Sequence, residues 1–249
     1  MLPFFFLLPP ACIIARQPIG RLVSLDRRKL DTSADASFYS APKLVTHTDD
    51  EFITALKDLY RERLPQSARV LDIMASHVSH LPADRNDLRV DGHGMNAEEL
   101  AANPALSSWH VRDLNKEPSL PFAATAGYDA ILCCAGVQYL QEPEAVFAEC
   151  SRALEPTSGV LIVSFTDRFF FPKAIQGWID RGMATRARLV KDYLRAAGGF
   201  REIEIVGGGT SLLAQIGSIS GLGADPFVAV VATRDADGDV SSSTLNGES

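Results

Sequence analysis

Hydrophobic residues along the chain fall into two patterns: short runs with few polar interruptions, and stretches at helical spacing. The short runs predict strands, several of them covered on both faces of a sheet: Arg69–Ile73, Leu88–Asp91, Trp109–Arg112, Tyr128–Cys134, Val160–Phe165, Ile203–Val206 and Phe227–Ala232. The helical spacing predicts a helix from a capping box at Thr48–Glu51 to Pro65, one capped by Asn96 and ending by Pro104, and two at Glu144–Leu154 and Ala187–Ala197.

Strands that alternate with helices predict an α/β fold. We expect a Rossmann-like, doubly wound and mostly parallel seven-stranded sheet with helices on both faces. Three segments follow from the same pattern: a leader over residues 1–37, a folded domain over 38–234 and a disordered tail over 235–249. Ligands of such sheets bind at the carboxyl ends of the strands, so the polar residues there are the candidates for function.

The first residues differ from the rest of the chain. Met1–Ala15 is apolar but is interrupted by prolines and is too short to span a membrane, and a basic stretch follows it. This pattern is typical of a targeting segment, with a weak membrane anchor as the alternative. We therefore expect no stable membrane span in the mature protein.

Net charge and cysteine content limit the classes of function and partner expected for this protein. The net charge of −7 argues against nucleic acid as a partner and suits a small-molecule substrate. Four cysteines without a C-x-x-C pair predict no disulfide framework and a reducing compartment. Nothing in the sequence fixes the oligomeric state.

The first predicted strand ends in Asp72 and opens into the turn Met74-Ala75-Ser76-His77, which contains no glycine. The second strand is followed by Gly92-His93-Gly94, a segment that contains no acid. A nicotinamide oxidoreductase needs G-x-G-x-x-G at the first position and an acid at the second, so that class is excluded.

A family resemblance emerges from the order of motifs downstream. The series Asp113-Leu114-Asn115, Leu120-Pro121-Phe122, Tyr128-Asp129-Ala130-Ile131-Leu132, Tyr139-Leu140, Pro143, Glu149 and Arg152-Ala153-Leu154-Glu155-Pro156 resembles class I S-adenosylmethionine-dependent methyltransferases. Several further stretches, among them FYSAPKLVTHTDDEF, resemble a methyltransferase type 11-like subgroup of photosynthetic organisms and some bacteria. The resemblance implies methyl transfer from S-adenosylmethionine and, with the leader, a plastid location; cytoplasmic or weakly membrane-anchored protein is the alternative.

The resemblance also implies cofactor-binding residues. Asp72 would hold the ammonium group of the cofactor, and Ser76 with backbone N–H groups its carboxylate, as the start of a helix does for anions. Gly94 stands where the family has an acid for the ribose, so Gly92 and Asn96, or His93, are the candidates there. Asp113 would bind the adenine amino group beside the Leu114 N–H. The alternatives are a turn cap for Asp72, a helix N-cap for Asn96 and an ordinary loop carboxylate for Asp113.

Residues for the chemical step are less defined. His77 as a base and Tyr139 as an acceptor-side residue are the catalytic candidates, and Phe169–Lys173 with Trp178 line an acceptor pocket or belong to the core. His77, His80 and His93 lack the pattern of a zinc site, so no metal is predicted. The leading hypothesis is methyl transfer to a small-molecule acceptor, and the alternative is a non-catalytic methyltransferase-like binding or assembly protein.

Overall fold

Seven strands form one sheet in the computed structural model, which describes residues 26–123, 127–207 and 225–236. The strands are β1 (Arg69–Ile73), β2 (Arg89–Gly94), β3 (Leu106–Val111), β4 (Ala130–Cys134), β5 (Val160–Phe165), β6 (Phe200–Gly207) and β7 (Val228–Arg234). Their order is β3-β2-β1-β4-β5-β7-β6, and only β7 runs antiparallel to its neighbours. The predicted α/β fold is confirmed, with a sheet that is mixed because of this one reversed strand.

Helices cover both faces of the sheet, as predicted. They are α1 (Asp35–Phe38), α2 (Asp50–Arg63), α3 (Ala97–Ala102), α4 (Pro143–Ala153), α5 (Gln176–Ile179) and α6 (Met183–Ala197). Successive side chains of a strand point to opposite faces. Val70 therefore packs in the core beneath α2, whereas Leu71 packs in the core beneath α4 and α6. The N-cap of α2 is Asp49, which accepts from Phe52 N, one residue later than the predicted capping box.

The connection from β1 to β2 contains no helix over residues 74–88. The face of the sheet that such a helix would cover is packed by α2, which precedes β1 in the chain. The turn after β1 is consequently not the start of a helix. Ser76 therefore does not lie at the start of a helix, and its role in binding the cofactor carboxylate stays a prediction.

The second strand continues to Gly94 rather than ending at Asp91. Gly92 and His93 pair with Asp72 and Ile73 of β1 on one side and with β3 on the other. A Cβ atom on Gly92 would lie 2.4 Å from Leu106 Cδ1, so a larger residue here would displace the Leu106 side chain. Gly92 is a packing residue of the sheet.

The folded part begins before Phe38, so the predicted boundary of the leader is too late. Arg27 pairs with Glu144 at 2.6 Å, and Lys29 forms a β-bridge with Ile175. Lys173 is fully buried, and its ammonium lies 3.1 Å from the Asp31 carboxylate and 3.3 Å from that of Asp35. Residues 26–37 thus supply the counter-charges of a buried cation.

The rest of the leader, residues 124–126 and 208–224, and most of the predicted tail lie outside the described residues. Among the helices of the described ranges, none combines the length and the apolarity that crossing a membrane requires.

The pairing of Lys173 predicts that a chain shortened to begin at Phe38 is less stable than one that begins at Asp26. Loss of Asp31 and Asp35 leaves a buried ammonium unpaired, which costs about 3–5 kcal/mol. Urea unfolding followed by circular dichroism measures the difference. Equal midpoints and slopes for the two chains would contradict this account of residues 26–37.

Candidate functional site

A cavity of about 420 Å³ lies at the carboxyl ends of β1 to β5. It is roofed by the N-terminal strap, which we define as residues 38–48. The sequence-predicted residues that line it are Asp72, Ser76, His77, Asn96, Asp113, Leu114 and Tyr139, whereas Gly92 does not. A cavity of this size is typical of small-molecule sites.

The turn after β1 lies directly against the end of β2. Met74 N donates to His93 Nδ1 at 3.2 Å, and Ala75 N donates to the His93 carbonyl at 2.8 Å. A Cβ atom on Gly94 would lie 2.5 Å from the Ala75 carbonyl oxygen. An acid at position 94 is therefore incompatible with this turn, and the glycine required for close backbone approach stands on β2 instead of in the turn.

His93 and Asn96 use all their polar atoms within the protein. His93 Nδ1 accepts from Met74, so its Nε2 carries the proton that it donates to the Arg112 carbonyl, and burial lowers its pKa to about 4. Asn96 Oδ1 accepts from Glu98 N and Glu99 N as the N-cap of α3, and its amide donates to the carbonyls of Tyr39 and Ser40 in the strap. Neither side chain is free to replace a ribose-binding acid.

Asp72 is a buried carboxylate on the cavity wall. It is 4% exposed, and burial raises its pKa to about 7, with a hydrogen bond from Ser79 opposing that rise. No lysine, arginine or histidine of the described residues forms an ion pair with it. A buried acid without a counter-charge destabilises a protein, so the site is suited to a cationic ligand.

Glu99 is a second such acid and was not predicted. It lies in the first turn of α3, is 8% exposed and lines the cavity. Its carboxylate accepts from Lys43 N at 2.7 Å and from Ser76 Oγ at 2.6 Å, and it makes no ion pair within the described part of the chain. The Ser76 hydroxyl is thus a hydrogen-bond donor to Glu99. The sequence Asn96-Ala97-Glu98-Glu99 suggested a helix start, which accounts for Glu99 locally and conceals its long-range contacts.

Asp113 and Leu114 follow β3 on the opposite side of the cavity. Asp113 Oδ1 accepts from Asn115 N at 3.0 Å, and its other oxygen lies 3.9 Å from the Lys116 ammonium. Leu114 is buried at 4% exposure. The site therefore retains a partly solvated acid beside a backbone N–H, as predicted.

Aromatic side chains form the remaining wall. Tyr139 Oη accepts from Phe170 N at 2.9 Å, and the two rings stack at 6.2 Å. Burial raises the pKa of Tyr139, so the phenol stays protonated. Trp178 is fully buried in the core, and Phe171 is 52% exposed, so the predicted aromatic segment divides between core, cavity and surface. His77 lines the cavity beside Ser76, with its Nδ1 3.2 Å from Ser76 Oγ.

No group of three His, Cys, Asp or Glu side chains in the described ranges is arranged to hold a metal ion. Burial lowers the pKa of His80 to about 4, as it does for His93. These imidazoles are neutral at physiological pH.

Comparison with known proteins supports the resemblance found in the sequence. A family model described as a methyltransferase domain matches residues 89–163, which include the cavity-lining segments after β2, β3 and β4. This match supports the predicted resemblance to class I S-adenosylmethionine-dependent methyltransferases and the predicted cofactor, S-adenosylmethionine.

Solved structures similar to this chain include an enzyme of another named activity and a methyltransferase. The crystal structure of the [4+2]-cyclase SpnF has a TM-score of 0.52 and 18% sequence identity, covering 81% of this chain and 91% of the cyclase. A TehB-like methyltransferase from Corynebacterium glutamicum has a TM-score of 0.48 and 17% identity, covering 75% and 90%. No curated protein matches the chain in sequence. The resemblance to a photosynthetic subgroup stays a prediction.

The methyltransferase cavity fits the chemistry of adenosylmethionine. The cofactor carries a sulfonium and an ammonium cation, and Asp72 and Glu99 are buried acids without a cationic partner among the described residues. The fit differs from the predicted one at the ribose side. There Glu99 is the acid available, because Gly92, His93 and Asn96 are engaged in packing and internal hydrogen bonds.

The raised pKa of Asp72 predicts how Asp72→Asn affects stability. The unfolded chain loses the Asp72 proton near pH 4 and the folded protein near pH 7, so the stability of the cofactor-free protein falls across that interval as pH rises. Asp72→Asn removes this penalty and keeps a partner for Ser79. We expect a higher melting temperature at pH 8, by about 2–4 °C for each kcal/mol gained.

Thermal unfolding of both proteins at pH 8 and at pH 3 measures the effect. At pH 3 or below, Asp72 is largely protonated in the folded and in the unfolded chain, so the two melting temperatures should converge. A mutant that is less stable than the parent at pH 8 would show that Asp72 is held by a structural partner.

Proposed function

We propose that this methyltransferase transfers a methyl group from adenosylmethionine to a small-molecule acceptor inside the cavity. The observation that carries the proposal is the pair of buried acids, Asp72 and Glu99, which line one cavity without a counter-charge in the described residues. A protein of the same fold used only for assembly would have no need of these two unpaired carboxylates.

Residues at the strand ends would each bind a different part of the cofactor. Asp72 would bind the ammonium group, because it is the acid at the end of β1 and its ionised form is stabilised by a cation. Glu99 would accept the ribose hydroxyls, since each of its oxygens already accepts one hydrogen bond and retains a second lone pair. Asp113 and the Leu114 N–H would bind the adenine edge.

The protein's own contribution to methyl transfer is alignment and exclusion of water. Bound adenosylmethionine supplies an electrophilic methyl group on its sulfonium. The strap, held by Asn96 and Glu99, roofs the cavity, and Tyr139 and Phe170 form a fixed wall that orients an acceptor. Tyr139 stays protonated and shapes the wall, and His77 remains the candidate base for an acceptor that must lose a proton early.

Calorimetric titration with adenosylmethionine and adenosylhomocysteine tests the proposal. We expect dissociation constants on the order of micromolar for both ligands. Asp113→Ala and Glu99→Gln should each weaken binding about tenfold, since each removes a charged hydrogen-bond acceptor. Glu98→Gln is the matched control for Glu99→Gln, because Glu98 is the adjacent exposed acid of the same helix turn.

Equal losses in Glu98→Gln and Glu99→Gln would assign the effect to the charge of α3 rather than to the site. Absence of binding at millimolar concentration by the folded parent protein would refute methyl transfer and leave the non-catalytic alternative. The plastid location rests on the leader and on the family resemblance, and it stays a prediction.

A further inference from the structure

Lys43 is the unpaired cation of the cavity. Three lysine or arginine side chains of the described residues line it. Arg112 pairs with Glu117 and Arg168 pairs with Asp225, whereas Lys43 forms no ion pair with a described carboxylate. Its ammonium donates to the Phe38 carbonyl at 2.9 Å and otherwise faces aromatic rings.

The rings around Lys43 hold its ammonium at the cavity. They belong to Phe38, Tyr39 and Phe170, with distances from Nζ to the ring centroids of 4.4, 5.2 and 5.9 Å. Such contacts stabilise a cation that is partly removed from water. They leave its remaining N–H groups available to an anion, which would form short, charge-assisted hydrogen bonds.

Lys43 contacts the acid Glu99 of α3 through its backbone and not through its ammonium group. Glu99 accepts from the backbone N–H of Lys43, and the Lys43 side chain extends instead to the carbonyl of Phe38. The backbone N–H of Lys43 thus binds Glu99, while its ammonium group lies against the aromatic rings. Two opposite charges remain unpaired in one cavity.

We infer that the methyl acceptor has a planar, apolar body and an anionic group, a carboxylate, which binds Lys43. This inference rests on the proposed function and names its substrate class. The body would pack against Tyr139, which lines the cavity and is not in contact with the Lys43 ammonium. A cationic acceptor is disfavoured, because the ammonium of Lys43 already occupies the ring faces and repels a second positive charge.

Three probes that share one phenol ring test the inference: 4-hydroxybenzoate, 4-hydroxybenzamide and 4-hydroxybenzylamine. Each is titrated into the protein saturated with adenosylhomocysteine. We expect the carboxylate to bind about tenfold more tightly than the isosteric amide, as one charged hydrogen bond predicts. The amine should bind more weakly than the amide.

Two variants of Lys43 separate its charge from its packing. Lys43→Met keeps the length of the side chain and should abolish the preference for the carboxylate over the amide. Lys43→Arg keeps the charge and should retain most of it. Lys191→Met is the control, because Lys191 lies on α6, outside the cavity lining.

The outcomes distinguish the inference from the function on which it rests. Failure of adenosylhomocysteine to bind refutes the proposed function, and the inference with it. If adenosylhomocysteine binds but the carboxylate shows no advantage, if the amine binds best, or if no probe binds, the inference is overturned and the proposed function stands. A preference that survives Lys43→Met assigns the anion to another cation and also overturns it.

Discussion

The close contact between the turn after β1 and the last residue of β2 is the constraint on which the site depends. Ala75 bonds to the backbone of His93, and its carbonyl oxygen occupies the space that a side chain at position 94 would need. The absence of an acid from Gly94 is therefore a consequence of the turn. The absence of glycine from the turn and the presence of Gly94 on β2 thus have one structural cause.

With position 94 closed, the polar contacts of the cavity come from elements farther along the chain. Glu99 of α3 bonds to Ser76 of the turn and to Lys43 of the strap, and Asn96 holds the strap at Tyr39 and Ser40. The turn, α3 and the strap consequently form one hydrogen-bonded unit around the cavity. A helix after β1 is not needed to organise this side of the site, because α3 and the strap take its place.

Elements that depend on local interactions were predicted correctly from local sequence patterns. The bounds of β1 and β5 agree with the structure, because a continuous apolar run specifies a strand covered on both faces. The extension of β2 through Gly92 to Gly94 was not predicted, because glycine is uncommon in strands and the pairing with β1 and β3 that forms it is not local in sequence. The start of the fold was misplaced for a similar reason: Arg27 is fixed by Glu144, 117 residues away, and a basic residue after an apolar run reads as part of a leader.

The charges of the cavity are separated by the same contacts that build it. Asp72 and Glu99 lie where the strands end, and Lys43 lies against the aromatic wall. Pairing the ammonium of Lys43 with Glu99 would neutralise both, but the strap directs its backbone N–H to Glu99 and its side chain to the rings. Unpaired buried charges lower the stability of the free protein. Because Asp72 and Glu99 lack a cation and Lys43 lacks an anion among the described residues, the cavity is suited to a cationic donor beside the acids and an anionic acceptor beside Lys43.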